Sequence, residues 1–297
     1  MKVLLKNNAE RMPIEIKRVM ISFTNFFEKY AIISSWQSFH NALHAIEISV
    51  YNLCVNRPFA LVTGSAHRLG KAFALSLAHM GYSIALHYHG STDEALKTKA
   101  EVESLGVHAY LLKADLTDPA QIQSLFNEID FILHSSTFIF SAVVNSAAIM
   151  PVGSPRDLEL QDWDSALDLN LRAPFLIAQQ AAKRMTEGGL IVNISDVGAQ
   201  KAWSRYPSYT VSKAGLESLT KMLARAFAPD IRVNAIAPGL VLPSDVVTPE
   251  TWQKLVERLP LKRAATLDEI TSTLEFLIKN EYITGQTIVV DGGYSLI

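Results

Sequence analysis

Seven short, β-branched apolar runs recur along the chain from Pro58 onward, and this rhythm constrains the fold more than any other feature. They read "FALVTG", "SIALHYH", "HAYLLKAD", "SAVVNSA", "GGLIVNIS", "IRVNAIAP" and "QTIVVDGG", each with the length and composition of a strand. Helix-length amphipathic segments separate most of them, among them "RLGKAFALSLAHMG" and "PSYTVSKAGLESLTKMLARAFA". Strands joined by helical crossovers pair in parallel, and their unbroken apolar character calls for cover on both faces. The expected fold class is α/β: one doubly wound parallel sheet with helices on both faces over residues 58–297, preceded by an N-terminal extension over 1–57.

Composition narrows the function. Half of the residues are hydrophobic (49%), ample for a sizeable core. A net charge of −2 with interspersed signs speaks against a nucleic-acid-binding face. The single cysteine, Cys54, excludes an intrachain disulfide framework and fits a reducing compartment, so a cytoplasmic location is expected. No run approaches the roughly 18 to 20 apolar residues of a membrane span, and no membrane partner is expected. The first 57 residues lack a secretory h-region and cleavage site, and Glu10 and Glu15 among their basic residues weaken a mitochondrial assignment. Their apolar spacing allows one or two helices or a loosely ordered extension, and their role stays unassigned.

The first strand and the first helix meet at "TGSAHRLG", where Gly64 and Gly70 bracket the turn. Glycine lets a backbone approach a pyrophosphate, and a helix N-terminus presents free N–H groups to it. Dinucleotide binding is expected there. A binder of NAD usually ends its second strand with an acid for the ribose hydroxyls. Here "LHYHGS" offers His87, Tyr88, His89 and Ser91, with no carboxylate before Asp93. A 2′-phosphate wants donors and positive charge, which Arg68 reaching over the adenosine would supply. NADPH is therefore the expected cofactor. The alternative is a solvated Arg68 and two histidines lining one face of a strand. A metal site is not expected, because His87 and His89 have no accompanying ligand cluster.

Downstream, "YPSYTVSKAGLESLTK" places Tyr209 and Lys213 four residues apart, on one helix face. An ammonium beside a phenol lowers the tyrosine toward working pH, which would make Tyr209 a general acid.

In their order, these motifs resemble the short-chain dehydrogenase/reductase family over about Pro58 to Ile297. The resemblance rests on the turn at Gly64 and Gly70, "VVNSAA" with Asn145, "LDLNLRAPF" with Asn170, and Tyr209 with Lys213. It continues through "RVNAIAPG" with Pro238 and Gly239 and the closing "ITGQTIVVDGG". It implies a Rossmann-type domain, a nicotinamide cofactor and a homotetramer. It also implies that Lys213 holds the nicotinamide ribose, that Asn170 keeps a water-linked proton path to Lys213, and that Asp115 in "KADLT" holds the adenine. Pro238 and Gly239 would lie along the nicotinamide.

Thirteen residues before the tyrosine, where the family usually has a serine donating to a substrate carbonyl, stands Asp196. An ionised aspartate cannot donate, and it opposes a neighbouring phenolate. It suits a substrate rich in N–H groups and ring nitrogens, such as a pterin. Arg68, "LHYHGS", Asp196 and "YITGQTIVVDGGYSL" together resemble the pteridine reductases of that family, which use NADPH to reduce dihydropterins. The resemblance implies proton transfer by Asp196 and Tyr209. Two positions depart from it: Gly90 replaces an arginine for the 2′-phosphate, and Met150 replaces a phenylalanine that stacks on the pterin. A shift of register could instead bring Ser195 into the donor role. The rival functions are an ordinary carbonyl reductase, acting on a 3-oxoacyl thioester or small ketone, and a non-catalytic nucleotide-binding protein. Residues 240–260 read as a loop and short helix over the substrate cleft, either a lid or a surface connection.

Overall fold

Each of the seven apolar runs forms a strand. In the computed structural model, which describes residues 57–201, 203–244 and 247–297, these are β1 (Arg57–Val62), β2 (Ser83–Tyr88), β3 (Ala109–Lys113), β4 (Phe138–Asn145), β5 (Gly189–Ile194), β6 (Ile231–Pro238) and β7 (Thr287–Val290). They pair in parallel in the order β3-β2-β1-β4-β5-β6-β7. The expected N-terminal extension lies outside the described residues, apart from Arg57, with which β1 opens.

The strands are joined through α1 (Arg68–His79), α2 (Thr92–Ser104), α3 (Pro119–His134), α4 (Leu160–Leu167), α5 (Ala173–Ala182), α6 (Pro207–Phe227), α7 (Pro249–Arg258) and α8 (Leu267–Lys279). Their starts follow local chemistry. Asp118 caps α3 by accepting from the Ala120 N–H, with Pro119 opening the helix. Thr266 and Glu269 form a reciprocal capping box on α8.

Alternation along each strand divides the core into two layers. Phe59 and Leu61 of β1 belong to a cluster with Phe126 and Ile129 of α3, Ile177 of α5 and Leu223 of α6. Ala60 and Val62 belong to the opposite cluster, with Phe73 and Leu77 of α1 and Ile270 and Leu274 of α8. Both faces of the sheet are therefore covered, as its continuous apolar strands require.

Chain order reverses direction between β1 and β4, which are hydrogen-bonded neighbours. The connections leaving these two strands diverge, and in open α/β sheets a crevice for ligands opens at that point, beyond the carboxyl ends. Gly64 follows β1, Asn145 ends β4, Asp196 follows β5 and Pro238 ends β6, so the sequence-predicted residues gather along this edge. Among the described residues, no helix is long and apolar enough to cross a membrane.

Candidate active site

The turn after β1 is shaped by space. Gly64 sits at φ +64°, and a Cβ there would lie 2.9 Å from the Ala147 Cα. A Cβ on Gly70 would lie 2.1 Å from the Gly64 carbonyl oxygen, so only glycine lets α1 press onto the turn. Thr63 Oγ1 accepts from the N–H groups of Ser146 (2.9 Å) and Ala147 (3.1 Å), tying this turn to the loop after β4. The N-cap residue of α1, His67, makes no side-chain cap bond. The free N–H groups of that first turn are the kind of cradle an anionic phosphate occupies.

Arg68 stands at φ +55°, in the left-handed region. A side chain there costs about 1 kcal/mol, which is why glycine is usual at such a position. Its guanidinium donates to the carbonyl oxygens of Pro243 (3.0 Å) and Leu242 (3.3 Å). Those residues follow β6, which lies across β1 from β2 in the sheet. The exposed guanidinium of Arg68 is thus turned toward the chain after β6, beside the carboxyl edge of the sheet.

The expectation for His87 is corrected. It is only 2% exposed, its Nδ1 accepts from the Gly64 N–H (3.1 Å), and its Nε2 lies 3.1 Å from the Ala114 carbonyl oxygen. An N–H can only donate, so Nδ1 is bare and Nε2 carries the proton that goes to Ala114. Burial holds the imidazole neutral, with its pKa pushed down to about 4. His87 braces the glycine turn from within and is not available to a phosphate. Of the other predicted residues here, Tyr88 is half-buried, His89 is exposed, and Ser91 is the N-cap of α2 without a side-chain cap bond. Asp115 Oδ1 accepts from both the N–H (2.9 Å) and the hydroxyl (2.7 Å) of Thr117, and these bonds hold its carboxyl below the usual range.

The second half of the site is built from side chains. Tyr209 and Lys213 lie one turn apart on α6 and are both buried. The Tyr209 hydroxyl donates to Asp196 Oδ2 at 2.9 Å. Asp196 also caps the short 3-10 turn Val197–Gln200, its Oδ1 accepting from the Gly198 N–H at 2.7 Å. Ser195 turns away: its Oγ donates to Glu217 Oε1 at 3.1 Å. Asp196, not Ser195, therefore faces the tyrosine. Burial raises the Asp196 carboxyl above its ordinary value, opposed by the hydrogen bonds from Gly198 and Tyr209.

The protonation of Tyr209 differs from the expectation. Its pKa is raised well above the ordinary phenol value, by burial first and then by the Asp196 carboxylate. Lys213 Nζ donates to the Ile194 carbonyl oxygen (2.7 Å), lies 5.7 Å from the Tyr209 ring centroid, and is itself pushed down to about 8 by burial. Proximity of a lysine in sequence does not outweigh burial beside an acid. Tyr209 is a protonated phenol and a hydrogen-bond donor.

Asn170 lies in a π-helical turn, Asp168–Arg172, that links α4 to α5. Such turns re-aim side chains and recur at functional sites. Its amide donates to the Ile149 carbonyl oxygen (2.8 Å) and to Ser212 Oγ (3.0 Å), and its Oδ1 accepts from the Ile149 N–H (3.0 Å). Asn170 thus clamps the loop after β4 onto α6, one residue from Lys213 and one from Met150, which is 40% exposed. Asn145 donates to Asn193 Oδ1 (2.8 Å), and Asn193 in turn donates to Thr220 Oγ1 (2.9 Å). That buried polar chain crosses from β4 through β5 to α6. The sequence motifs assign no role to Asn193 or Thr220, although a polar residue such as Asn193 inside an apolar strand is a signal in itself. Pro238 ends β6, and Gly239 follows so closely on β7 that a Cβ would lie 2.8 Å from the Asp291 Cα. The loop and short helix expected over 240–260 are present as the stretch after Gly239 and α7. Among the described residues, no cluster of three or more His, Cys, Asp or Glu is placed to hold a metal.

A doubly wound sheet with a glycine turn at its first strand and a buried Tyr–Lys pair at its fifth crossover defines a dehydrogenase/reductase class of site. Comparisons with known proteins agree. A family model described as enoyl-(acyl carrier protein) reductase matches residues 64–295. The chain is 33% identical over 241 residues to the 3-oxoacyl-[acyl-carrier-protein] reductase FabG of Staphylococcus aureus, covering 79% of this chain and 96% of that protein. It is 35% identical to the 1-cyclohexenylcarbonyl-CoA reductase of Streptomyces collinus, covering 81% and 88%. Among solved structures, the FolM alternative dihydrofolate reductase 1 of Brucella canis, complexed with NADP, superposes with a TM-score of 0.76 at 36% identity, covering 82% of this chain and 96% of that one. The chain belongs to the short-chain dehydrogenase/reductase family and is an oxidoreductase of that family.

Proposed function

We propose that this protein is an NADPH-dependent reductase of a pterin, taking a dihydropterin to a tetrahydropterin. The observation that carries this reading is the pair of half-buried Asp196 and buried Tyr209, hydrogen-bonded at 2.9 Å where an ordinary carbonyl reductase would present a serine hydroxyl. The similarity to the FolM protein supports it.

The turn at Gly64 and Gly70 and the bare N-terminus of α1 fit a pyrophosphate, because the two glycines let strand, helix and the loop at Ala147 close up and leave the first-turn N–H groups of α1 to face it. The open end of β2 fits a 2′-phosphate through His89, Ser91 and the edge of Tyr88, with Asp115 on the adenine side and no acid competing for the ribose. Lys213 serves the nicotinamide ribose, and Pro238 and Gly239 bound its far side. Bound NADPH supplies the hydride.

The protein supplies protons and orientation. Tyr209 holds a proton on its hydroxyl, and burial raises the Asp196 carboxyl above its ordinary value, which favours its holding a proton to pass on. Together they deliver a proton to a ring nitrogen as the neighbouring carbon is reduced. Either form of Asp196 meets such a ring: as a carboxylate it accepts from N–H groups, and as an acid it donates to a bare nitrogen. Lys213 follows Ser212, on which Asn170 is anchored, so the π-helical turn keeps α6 and the Met150 loop in register. Met150 offers its thioether to the flat face of the substrate.

Exposed apolar residues on α6 (Val211, Met222) and a shallow apolar hollow lined by Leu171, Phe175 and Leu219 support assembly as a homotetramer. A second reading, reduction of a 3-oxoacyl thioester, is favoured by the similarity to FabG. The test is NADPH consumption by purified protein with a dihydropterin beside an acetoacetyl thioester. Turnover of the pterin is expected. Turnover of the thioester alone would overturn the proposal.

A further inference from the structure

Glu217 has no part in the reaction as described, yet it stands four residues beyond Lys213 and eight beyond Tyr209 on α6. That spacing puts all three on one face of the helix. Its two carboxylate oxygens reach in different directions. Oε1 accepts from Ser195 Oγ at 3.1 Å, and Oε2 accepts from Gln200 Nε2 at 3.4 Å.

Ser195 immediately precedes Asp196, and Gln200 closes the 3-10 turn that Asp196 caps. One carboxylate therefore reaches both ends of the short turn that carries Asp196, closely at Ser195 and by a longer, exposed bond at Gln200, from the helix that carries Tyr209. The turn's other side-chain restraints have different addresses. Asp196 Oδ1 binds within the turn at Gly198, and Lys201, just beyond it, donates to the Tyr294 and Ile297 oxygens of the closing segment. Among the described residues, the bonds from Ser195 and Gln200 are the side-chain hydrogen bonds between this turn and α6 besides the Tyr209–Asp196 bond itself, and Lys213 holds only the strand end before it, at the Ile194 carbonyl.

We infer that Glu217 is a positioning residue: by gripping Ser195 and Gln200 it fixes the Asp196 turn against α6 and keeps Asp196 Oδ2 within hydrogen-bond reach of the Tyr209 hydroxyl. Ser195 explains why the grip is firm. Its hydroxyl is buried, and without Glu217 it would have to seek another acceptor by moving the strand end. Small displacements at such a pair are costly, because proton transfer needs heavy-atom separations of hydrogen-bond length. The inference rests on the proposed function for what Asp196 does, but it concerns only the geometry of the pair.

The test compares Glu217→Leu, Glu217→Gln and Ser195→Ala, using whichever acceptor the wild type reduces, so that failure of the pterin reading is seen separately in the wild-type assay. Glu217→Leu is expected to lower kcat about tenfold while NADPH affinity, read by quenching of cofactor fluorescence, stays within about twofold. Glu217→Gln keeps an oxygen for Ser195 and is expected to recover most of that loss. Ser195→Ala should lower kcat in the same direction, and the double variant Ser195→Ala/Glu217→Leu should be no worse than Glu217→Leu alone. A folded Glu217→Leu with unchanged kcat would overturn the inference, as would equal impairment in the leucine and glutamine variants. Should Glu217→Leu fail to fold, Ser195→Ala decides: full wild-type kcat would contradict the role.

Discussion

The turn after β1 and the turn after β5 both stand at the carboxyl edge of the sheet, and they are built on opposite principles. The first works through backbone and empty space: two glycines whose missing Cβ atoms let strand, helix and neighbouring loop converge, and a neutral histidine bracing them from below. The second works through side-chain protonation, with a phenol and an ammonium buried one turn apart on α6 and a half-buried acid from the turn after β5 hydrogen-bonded to the phenol. Substitutions in the first region should therefore change shape and cofactor affinity. Substitutions of the acid and the phenol in the second should change the rate and leave the cofactor in place.

The sharpest way to break that contrast is Tyr209→Phe. Removing the hydroxyl deletes the proton donor, and kcat is expected to fall about 10²- to 10⁴-fold, while fluorescence titration shows NADPH binding close to wild type. Comparable loss of cofactor affinity would erase the distinction between the regions.

In the glycine turn, the strongest effect is expected from acid. The imidazole of His87 sits at about 4 in the folded protein, below its ordinary value of 6.5, because burial keeps it neutral. The unfolded chain therefore binds the extra proton first. The His87 contribution is full above about pH 6.5 and is lost as pH falls toward 4, amounting to about 3 kcal/mol. Protonation also places a hydrogen on Nδ1, where Gly64 donates. Chemical denaturation of wild type and His87→Gln from pH 7 to pH 4 should show the difference between them shrinking with acidification. A constant difference would mean that His87 is not buried neutral.

Gly70→Ala comes next. A methyl 2.1 Å from the Gly64 oxygen must push α1 off the turn, at a cost of about 1–3 kcal/mol, with NADPH binding weakened and kcat at saturation changed less. The smallest effect is expected from His89→Ala, which removes an exposed donor at the end of β2. The ratio of KM for NADPH to that for NADH should rise about threefold, with thermal stability unchanged. An unaltered ratio would move the 2′-phosphate elsewhere.

The same contrast explains what the sequence reveals and what it hides. The seven strands, the crossover helices and the switch point follow from hydrophobic period and length, which act locally. Gly64 and Gly70 are legible because their chemistry is the absence of a side chain. Asp196 is legible because it stands thirteen residues before Tyr209, at the place the family pattern marks, and Ser195 beside it turns to the opposite side. The placing of His87 and the direction of Arg68 are hidden for one reason: a side chain's type states what it can bind, and its direction is set by packing. The left-handed backbone at Arg68 turns its guanidinium to the chain after β6, and His87 is buried inside β2 while His89 lies past the strand end in solvent. The protonation of Tyr209 is hidden likewise, since burial beside Asp196 outweighs a lysine whose ammonium is bound to the Ile194 carbonyl. Glu217 escapes notice because its partners lie across α6 and not along it.

The most direct test of the account is the specificity ratio, kcat/KM for a dihydropterin over that for an acetoacetyl thioester, in wild type and Asp196→Ser. The account predicts a ratio above one in the wild type that falls by about 10²-fold in the serine variant, most of the change coming from lost pterin turnover. Pterin turnover that survives the substitution, or a wild type that prefers the thioester, would contradict it and leave Asp196 as a turn cap beside an ordinary carbonyl site.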